Sequence, residues 1–291
     1  MSTEGAKQRE TAQLAEPMFG DKLFQQRARM AFPILVRQAH AAAPILYSEL
    51  AAEIGMSNPR NLNYVLGSIG QTLVDLSAEW DREIPPINCL VINKSSGLPG
   101  EGISWFIKDV ADFKELPLKR KREIVDIHLQ EIYAFQDWLK ILEHCGLEPV
   151  CQNYKQIINL AENYRGGGES ERHKRLKRYV STHPEVIGLP SKLEGREEHP
   201  LPSGDSLDVL FHQGKRLIGV EVKSARSPDT DIVRGIFQCV KYQAVLEAVM
   251  SSQSLVPDVQ TLLVLEGELP KSLVPLKNML RVEVIQNILP R

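Results

Sequence analysis

Apolar positions change their spacing along the chain, helical in the first half and strand-like in much of the second. Residues 1–20 carry few apolar side chains and are expected to form a flexible tail. Residues 21–43 read as helical, interrupted by Pro33. Over residues 47–54, Leu50, Ala51 and Ile54 share a helical face, with Ser48 the expected N-cap and Gly55 the stop. Asn58-Pro59-Arg60 is a turn. Leu62, Val65, Leu66, Ile69 and Leu73 then mark a second helix over residues 61–76. The apolar stretch 87–92 and the loop Gly97-Leu-Pro-Gly-Glu-Gly102 complete what reads as a winged-helix-like unit. Val125, Leu129, Ile132, Phe135, Leu139 and Leu142 predict one long helix over residues 119–145. Its first turn is Lys119-Arg-Lys-Arg122, four cations that oppose the helix dipole.

Arg165-Gly-Gly-Gly168 predicts a boundary. Beyond it the order is a basic helix (170–179), strands (206–211 and 216–223), a helix (230–249) and strands (261–266 and 280–285). The expected class is α/β, with a mixed sheet flanked by helices behind a mainly helical N-terminal domain. The expected divisions are a tail (1–20), a winged-helix-like domain (21–115), a long helix with linker (116–165) and the α/β domain (166–291). A length of 291 residues suits two domains. No apolar run approaches the roughly 18 residues that would span a bilayer, and the first thirty residues hold no apolar signal core, so no membrane partner is expected. Cys89, Cys145, Cys151 and Cys239 form no Cys-x-x-Cys pair, and reduced thiols in a cytoplasmic protein are the expectation. The net charge of −2 removes bulk positive charge as an argument for nucleic acid and leaves only local basic surfaces.

Candidate chemistry lies in the hairpin after that boundary. Leu217, Gly219, Glu221 and Lys223 fall on one face of a strand, and Ile218, Val220 and Val222 on the other. Asp208 stands between Leu207 and Val209 on the preceding strand, and the short turn through Gly214 brings Asp208 near the Glu221–Lys223 face. Two carboxylates can hold a hard divalent cation, and a neighbouring lysine can orient or deprotonate water or neutralise charge at phosphorus. The bland alternative for these three residues is a salt-bridged hairpin on a solvated face.

Asp208, a twelve-residue gap, then Glu221-Val222-Lys223 resembles the PD-(D/E)XK nuclease superfamily, as does the order of elements over residues 169–287. Gln238-Cys-Val-Lys241-Tyr242, in the next helix, resembles the Gln-x-x-x-Tyr motif of its exonuclease-like branches. The resemblance implies a restriction-endonuclease-like fold and metal-dependent hydrolysis of DNA phosphodiesters. It implies Mg²⁺ or Mn²⁺ on Asp208, Glu221 and the Val222 carbonyl, Lys223 and Gln238 as catalytic groups, and Tyr242 contacting DNA or steadying its helix. An additional acid would come from Glu171, with Glu169 behind it, or from Glu197 or Glu198. His173 is read as structural or DNA-facing, and Asp205 as a turn residue. The family's usual proline before the aspartate is replaced by Leu207. Arg172, Lys174, Arg175, Arg226, Arg234 and Lys241 are candidate phosphate contacts.

Residues 45–102 resemble, more loosely, the DNA-binding domain of alkylguanine-DNA alkyltransferases and their non-catalytic relatives. The shared features are Tyr47-Ser-Glu-Leu-Ala, Gly55, Arg60, Leu66-Gly67 and Ile84-Pro-Pro-Ile-Asn88-Cys89-Leu-Val-Ile. Asn88 stands where the nucleophilic cysteine would be, which disfavours alkyl transfer and leaves DNA binding, with Arg60 at the start of a recognition helix. The combined expectation is a DNA endonuclease in defence against foreign DNA or in repair. An inactive DNA-binding relative, told apart by metal affinity, and a modified-base sensor, told apart by preference for alkylated DNA, are the rivals. Cutting both strands would favour a homodimer. No Gly-x-x-x-x-Gly-Lys-Ser/Thr loop is present, so any ATPase or helicase partner would be a separate chain.

Overall fold

The computed structural model describes residues 15–107, 113–150, 154–155, 158–159 and 170–290. The chain divides into two compact units, Met1–Cys151 and Gln152–Arg291. Arg165-Gly-Gly-Gly168, Glu169 and Cys151 lie outside the described residues.

The first unit is mainly helical. It holds α1 (Leu23–His40), β1 (Ile45–Leu46), α2 (Tyr47–Glu53), α3 (Leu62–Glu79), β2 (Val91–Ile92), α4 (Leu118–Ala134) and α5 (Trp138–His144). Pro33 does not interrupt α1. A helix-interior proline costs about 3 kcal/mol, but Ala28, Phe32, Leu35, Val36 and Ala39 are all buried in one core, and that packing prevails. Ser48 does not cap α2, because β1 leads straight into the helix and leaves Leu46 at the N-cap. Gly55 ends that helix at φ +69°. The expected tail is partly tied down: Met18 is fully buried, its N–H donates to Thr72 Oγ1 (3.0 Å), and Ser68 Oγ donates to the Glu16 carbonyl (2.7 Å). β1 and β2 pair in parallel, and no antiparallel wing follows α3 among the described residues.

The long helix expected over residues 119–145 is two helices, and both belong to the first unit's core rather than to a linker. Phe135 turns extended (ψ 118°) and the chain restarts at Trp138. The break re-phases the apolar face, so that Trp138, Ile141 and Leu142 are buried and Leu139 is exposed. Trp138 holds the break together. Its indole N–H donates to the Ile132 carbonyl (2.9 Å), an acceptor the last turn of α4 leaves free, and its ring packs between Phe32 and Phe135. Trp138→Phe keeps the ring packing and orphans that buried carbonyl. It is expected to lower stability by about 2 kcal/mol in urea denaturation followed by circular dichroism. An unchanged midpoint would show that the bond contributes nothing net.

The second unit is α/β. Its described elements are α6 (Glu171–Thr182), β3 (Arg196–Pro200), β4 (Ser206–Gln213), β5 (Arg216–Lys223), α7 (Asp229–Ser252), β6 (Val259–Leu265), α8 (Val274–Met279) and β7 (Glu283–Ile285). They form a five-stranded mixed sheet in the order β3-β4-β5-β6-β7. β3–β4 and β4–β5 are antiparallel, and β5–β6 and β6–β7 are parallel. α7 is the crossover between the parallel neighbours β5 and β6. Alternation along the strands sets the two layers. Ile218, Val220, Val222, Leu262 and Val264 pack with Leu176 and Val180 of α6. Leu263 and Leu265 pack with Ile232, Val233 and Ile236 of α7 on the opposite face. No helix among the described residues is long and apolar enough to cross a membrane.

Candidate active site

The hairpin register decides where Asp208 stands. Cα pairs run from Gln213↔Arg216 to Val209↔Val220, so one step further Asp208 faces Glu221. There the Asp208 side chain takes over from the ladder, and Oδ2 accepts the N–H of Val222 at 2.8 Å. On its other side, β3 pairs Glu197 with Val209 and His199 with Leu207, and Glu198 between them sits at φ +50°. Glu198 thereby reaches Lys177 and Ser206 rather than joining Asp208.

Glu221 and Lys223 do not lie on a solvated face. Their relative exposures are 4% and 6%, under the cover of α7. Lys223 Nζ is 2.9 Å from Glu221 Oε1, 3.2 Å from Asp231 Oδ1 and 3.4 Å from Gln238 Oε1. Gln238 Nε2 donates to the Tyr242 hydroxyl (3.0 Å), which donates to the Ser206 carbonyl (3.3 Å). The chain of bonds therefore ties α7 to β5 at Lys223 and to β4 at Ser206. His173, from α6, places Nε2 3.3 Å from Asp208 Oδ1.

These contacts set the protonation chemistry. Burial pushes the Glu221 carboxyl well above the usual carboxylate range, and the Asp208 charge adds to this; Lys223 and His173 only partly offset it. Burial alone would push Lys223 down. The Glu221 and Asp231 carboxylates outweigh it and hold the amine above its ordinary value, as an ammonium.

The donor set fits a hard cation. Asp208 and Glu221 bring oxygen ligands to one place, and the Asp208 charge adds to the burial that raises the Glu221 carboxyl. Among the described residues no cluster of three or more His, Cys, Asp or Glu side chains makes a complete cage. Mg²⁺ commonly takes one or two carboxylates and keeps several waters.

Asp208, Glu221, Lys223 and Gln238 are thus brought together, with Val222 entering through its backbone and its side chain in the core. Other candidates are not. Glu171 is 91% exposed at its side chain and bound to Lys174 (2.9 Å). Glu197 accepts from Ser181 (2.7 Å). Tyr242 is 1% exposed, with its hydroxyl between Gln238 and the Ser206 carbonyl. Arg172 is taken by Glu266 through two bonds (2.8 and 2.7 Å), and Glu266 also accepts the Ala225 N–H (2.8 Å), which fixes the turn leaving β5. Lys241 pairs with Asp205 (2.7 Å) and Arg175 donates to the Pro290 carbonyl (3.0 Å). Arg226 and Arg234 are exposed. Sequence reasoning missed Asp231 and Glu266 and kept His173 out of the site. The available signals were an acid in the first turn of the helix after Glu-x-Lys and an acid closing the apolar run 261–265.

In the first unit Arg60 lies in the turn before α3 and lines a cavity of about 540 Å³ with Tyr47, Asn63, Asn88, Asn93 and Phe106. Asn88 Nδ2 donates to the Leu66 carbonyl (2.9 Å). Cys89 is fully buried, and burial pushes its thiol up. Comparison of the chain with protein-family models, curated proteins and solved structures gave no match.

Proposed function

We propose that this protein is a metal-dependent deoxyribonuclease of the PD-(D/E)XK, restriction-endonuclease-like class, acting as an endonuclease in defence against foreign DNA or in DNA repair. The observation that carries the reading is the Asp208–Glu221 pair set across the hairpin with buried Lys223 two residues on. Support also comes from the position of Lys223 and Glu266 at the carboxyl ends of the parallel strands β5 and β6, the usual place for a ligand in an open α/β sheet.

Asp208 and Glu221 would hold Mg²⁺ or Mn²⁺, with the Val222 carbonyl a third oxygen. The bound ion would supply Lewis acidity at the phosphoryl oxygen. Lys223 would serve the attacking water and offset negative charge growing at phosphorus. Gln238 limits where the Lys223 head can go. Exposed Arg226 and Arg234 would meet phosphates, and the helical first unit, with Arg60, would bind the duplex.

The test is to incubate the whole protein with supercoiled plasmid, with linear single- and double-stranded DNA, and with RNA, each in Mg²⁺, Mn²⁺ or EDTA. Nicked and linear plasmid are expected with either metal and not in EDTA. A folded protein that cuts none of these with either metal would end the proposal.

A further inference from the structure

We infer that Asp231 and Gly235, one turn apart on α7, are positioning residues that seat the Lys223 side chain. Three observations converge on this. Asp231 Oδ1 meets the Lys223 head at 3.2 Å, and it does so from a different element than Glu221. Gly235 meets the stem: a Cβ there would stand 2.9 Å from Lys223 Cε and 2.9 Å from Leu263 Cδ1, so an alanine fits only if both the lysine and Leu263 shift. Gln238 and Tyr242 follow on the same helical face, and Gln238 borders the lysine head. Glycine is a poor helix-interior residue, so its place at this one crossing calls for a reason, and the passage of Lys223 supplies one.

The seat has a consequence for the site. A cation on Glu221 would share that carboxylate with Lys223, which meets its Oε1. With Asp231 supplying a second carboxylate from α7, Lys223 keeps its place and its counter-charge when Glu221 is otherwise engaged. Asp231 touches the lysine and not the Asp208 carboxylate, so it acts through Lys223. The other acid of that first helical turn, Asp229, is exposed and serves as the comparison.

For its catalytic arm the inference rests on the nuclease reading. Asp231→Asn and Gly235→Ala are expected to lower kcat on plasmid by about tenfold to a hundredfold, with KM and the half-saturating Mg²⁺ concentration little changed. Asp231→Glu should recover part of the rate, and Asp229→Asn should match wild type. A wild-type kcat in Asp231→Asn, or an equal loss in Asp229→Asn, which would assign the effect to the helix dipole, overturns the inference. A second arm needs no activity: urea denaturation in EDTA of wild type, Asp231→Asn, Lys223→Met and the double variant. The midpoint shift caused by Asp231→Asn should shrink by at least about half when Lys223 is absent. Equal shifts in both backgrounds overturn the seat. If wild type cleaves nothing while the shifts are coupled, the nuclease reading fails and the seat stands.

Discussion

Lys223→Ala is expected to lower kcat for metal-dependent plasmid cleavage by about 10²–10⁴-fold while leaving DNA affinity nearly unchanged. The ammonium is one of the few donors aimed at the place where Asp208 and Glu221 converge, and its charge is worth more there than at the surface because the group is 6% exposed. On the nuclease reading DNA affinity should survive, because exposed cations such as Arg226 and Arg234 would carry it. Lys223→Arg should not restore the rate. The stem crosses Gly235 with no room to spare, and a guanidinium cannot occupy a cleft sized for one ammonium between Glu221, Asp231 and Gln238. The check is steady-state kinetics beside a gel-shift measurement of affinity in Ca²⁺. An arginine variant with wild-type kcat would contradict the assigned role.

Glu221→Gln should abolish metal-dependent cleavage and, without metal, make the protein more stable at pH 8 than wild type. In the folded metal-free chain the Glu221 carboxyl keeps its proton above the ordinary value of 4.5, because it is buried and faces Asp208. The unfolded chain has already released that proton. Folded protein therefore binds more protons than unfolded protein across this window, and stability falls as pH rises through it, by up to about 1.4 kcal/mol per pH unit. Glutamine carries no such proton, so the gap between variant and wild type should open from pH 5 to pH 8. His199, held below 6.5 by burial and by Arg196 and His212, works in the opposite sense below pH 6.5. It is common to both proteins and cancels in the difference. In the wild type Lys223 is raised above 10.5 and titrates outside the window. Mg²⁺ at pH 8 should raise the wild-type melting temperature and leave Glu221→Gln unmoved. Parallel pH profiles of Tm for the two proteins in EDTA would show that Glu221 is ionised in the folded state.

Much of the α/β unit was legible in the chain because its signals are short-range. Arg216–Lys223 was read with its observed ends, since alternation and a two-residue turn leave little freedom. α6 and α7 were found to within a few residues. β3 was missed because Arg196-Glu-Glu-His-Pro200 is a polar edge strand with no buried face to mark it. Leu280 was given to the last strand, but it closes α8, and the strand begins at Glu283.

The sequence by itself determined the hairpin, the convergence of Asp208 with Glu221 and Lys223, and the helix that carries Gln238 and Tyr242. Each follows from backbone periodicity over a few residues. Only the tertiary structure decided the rest. It buried Tyr242, spent Arg172 on Glu266 across 94 residues of sequence, brought His173 to Asp208 across 35, and closed Asp231 and Gly235 around Lys223. It also broke the helix at Phe135, where the fit of Trp138 against Phe32 outweighed an unbroken helical pattern. Partners so far apart leave no period in the chain. They are chosen when helices settle on the sheet and a buried charge must find whatever counter-charge the packing has placed beside it.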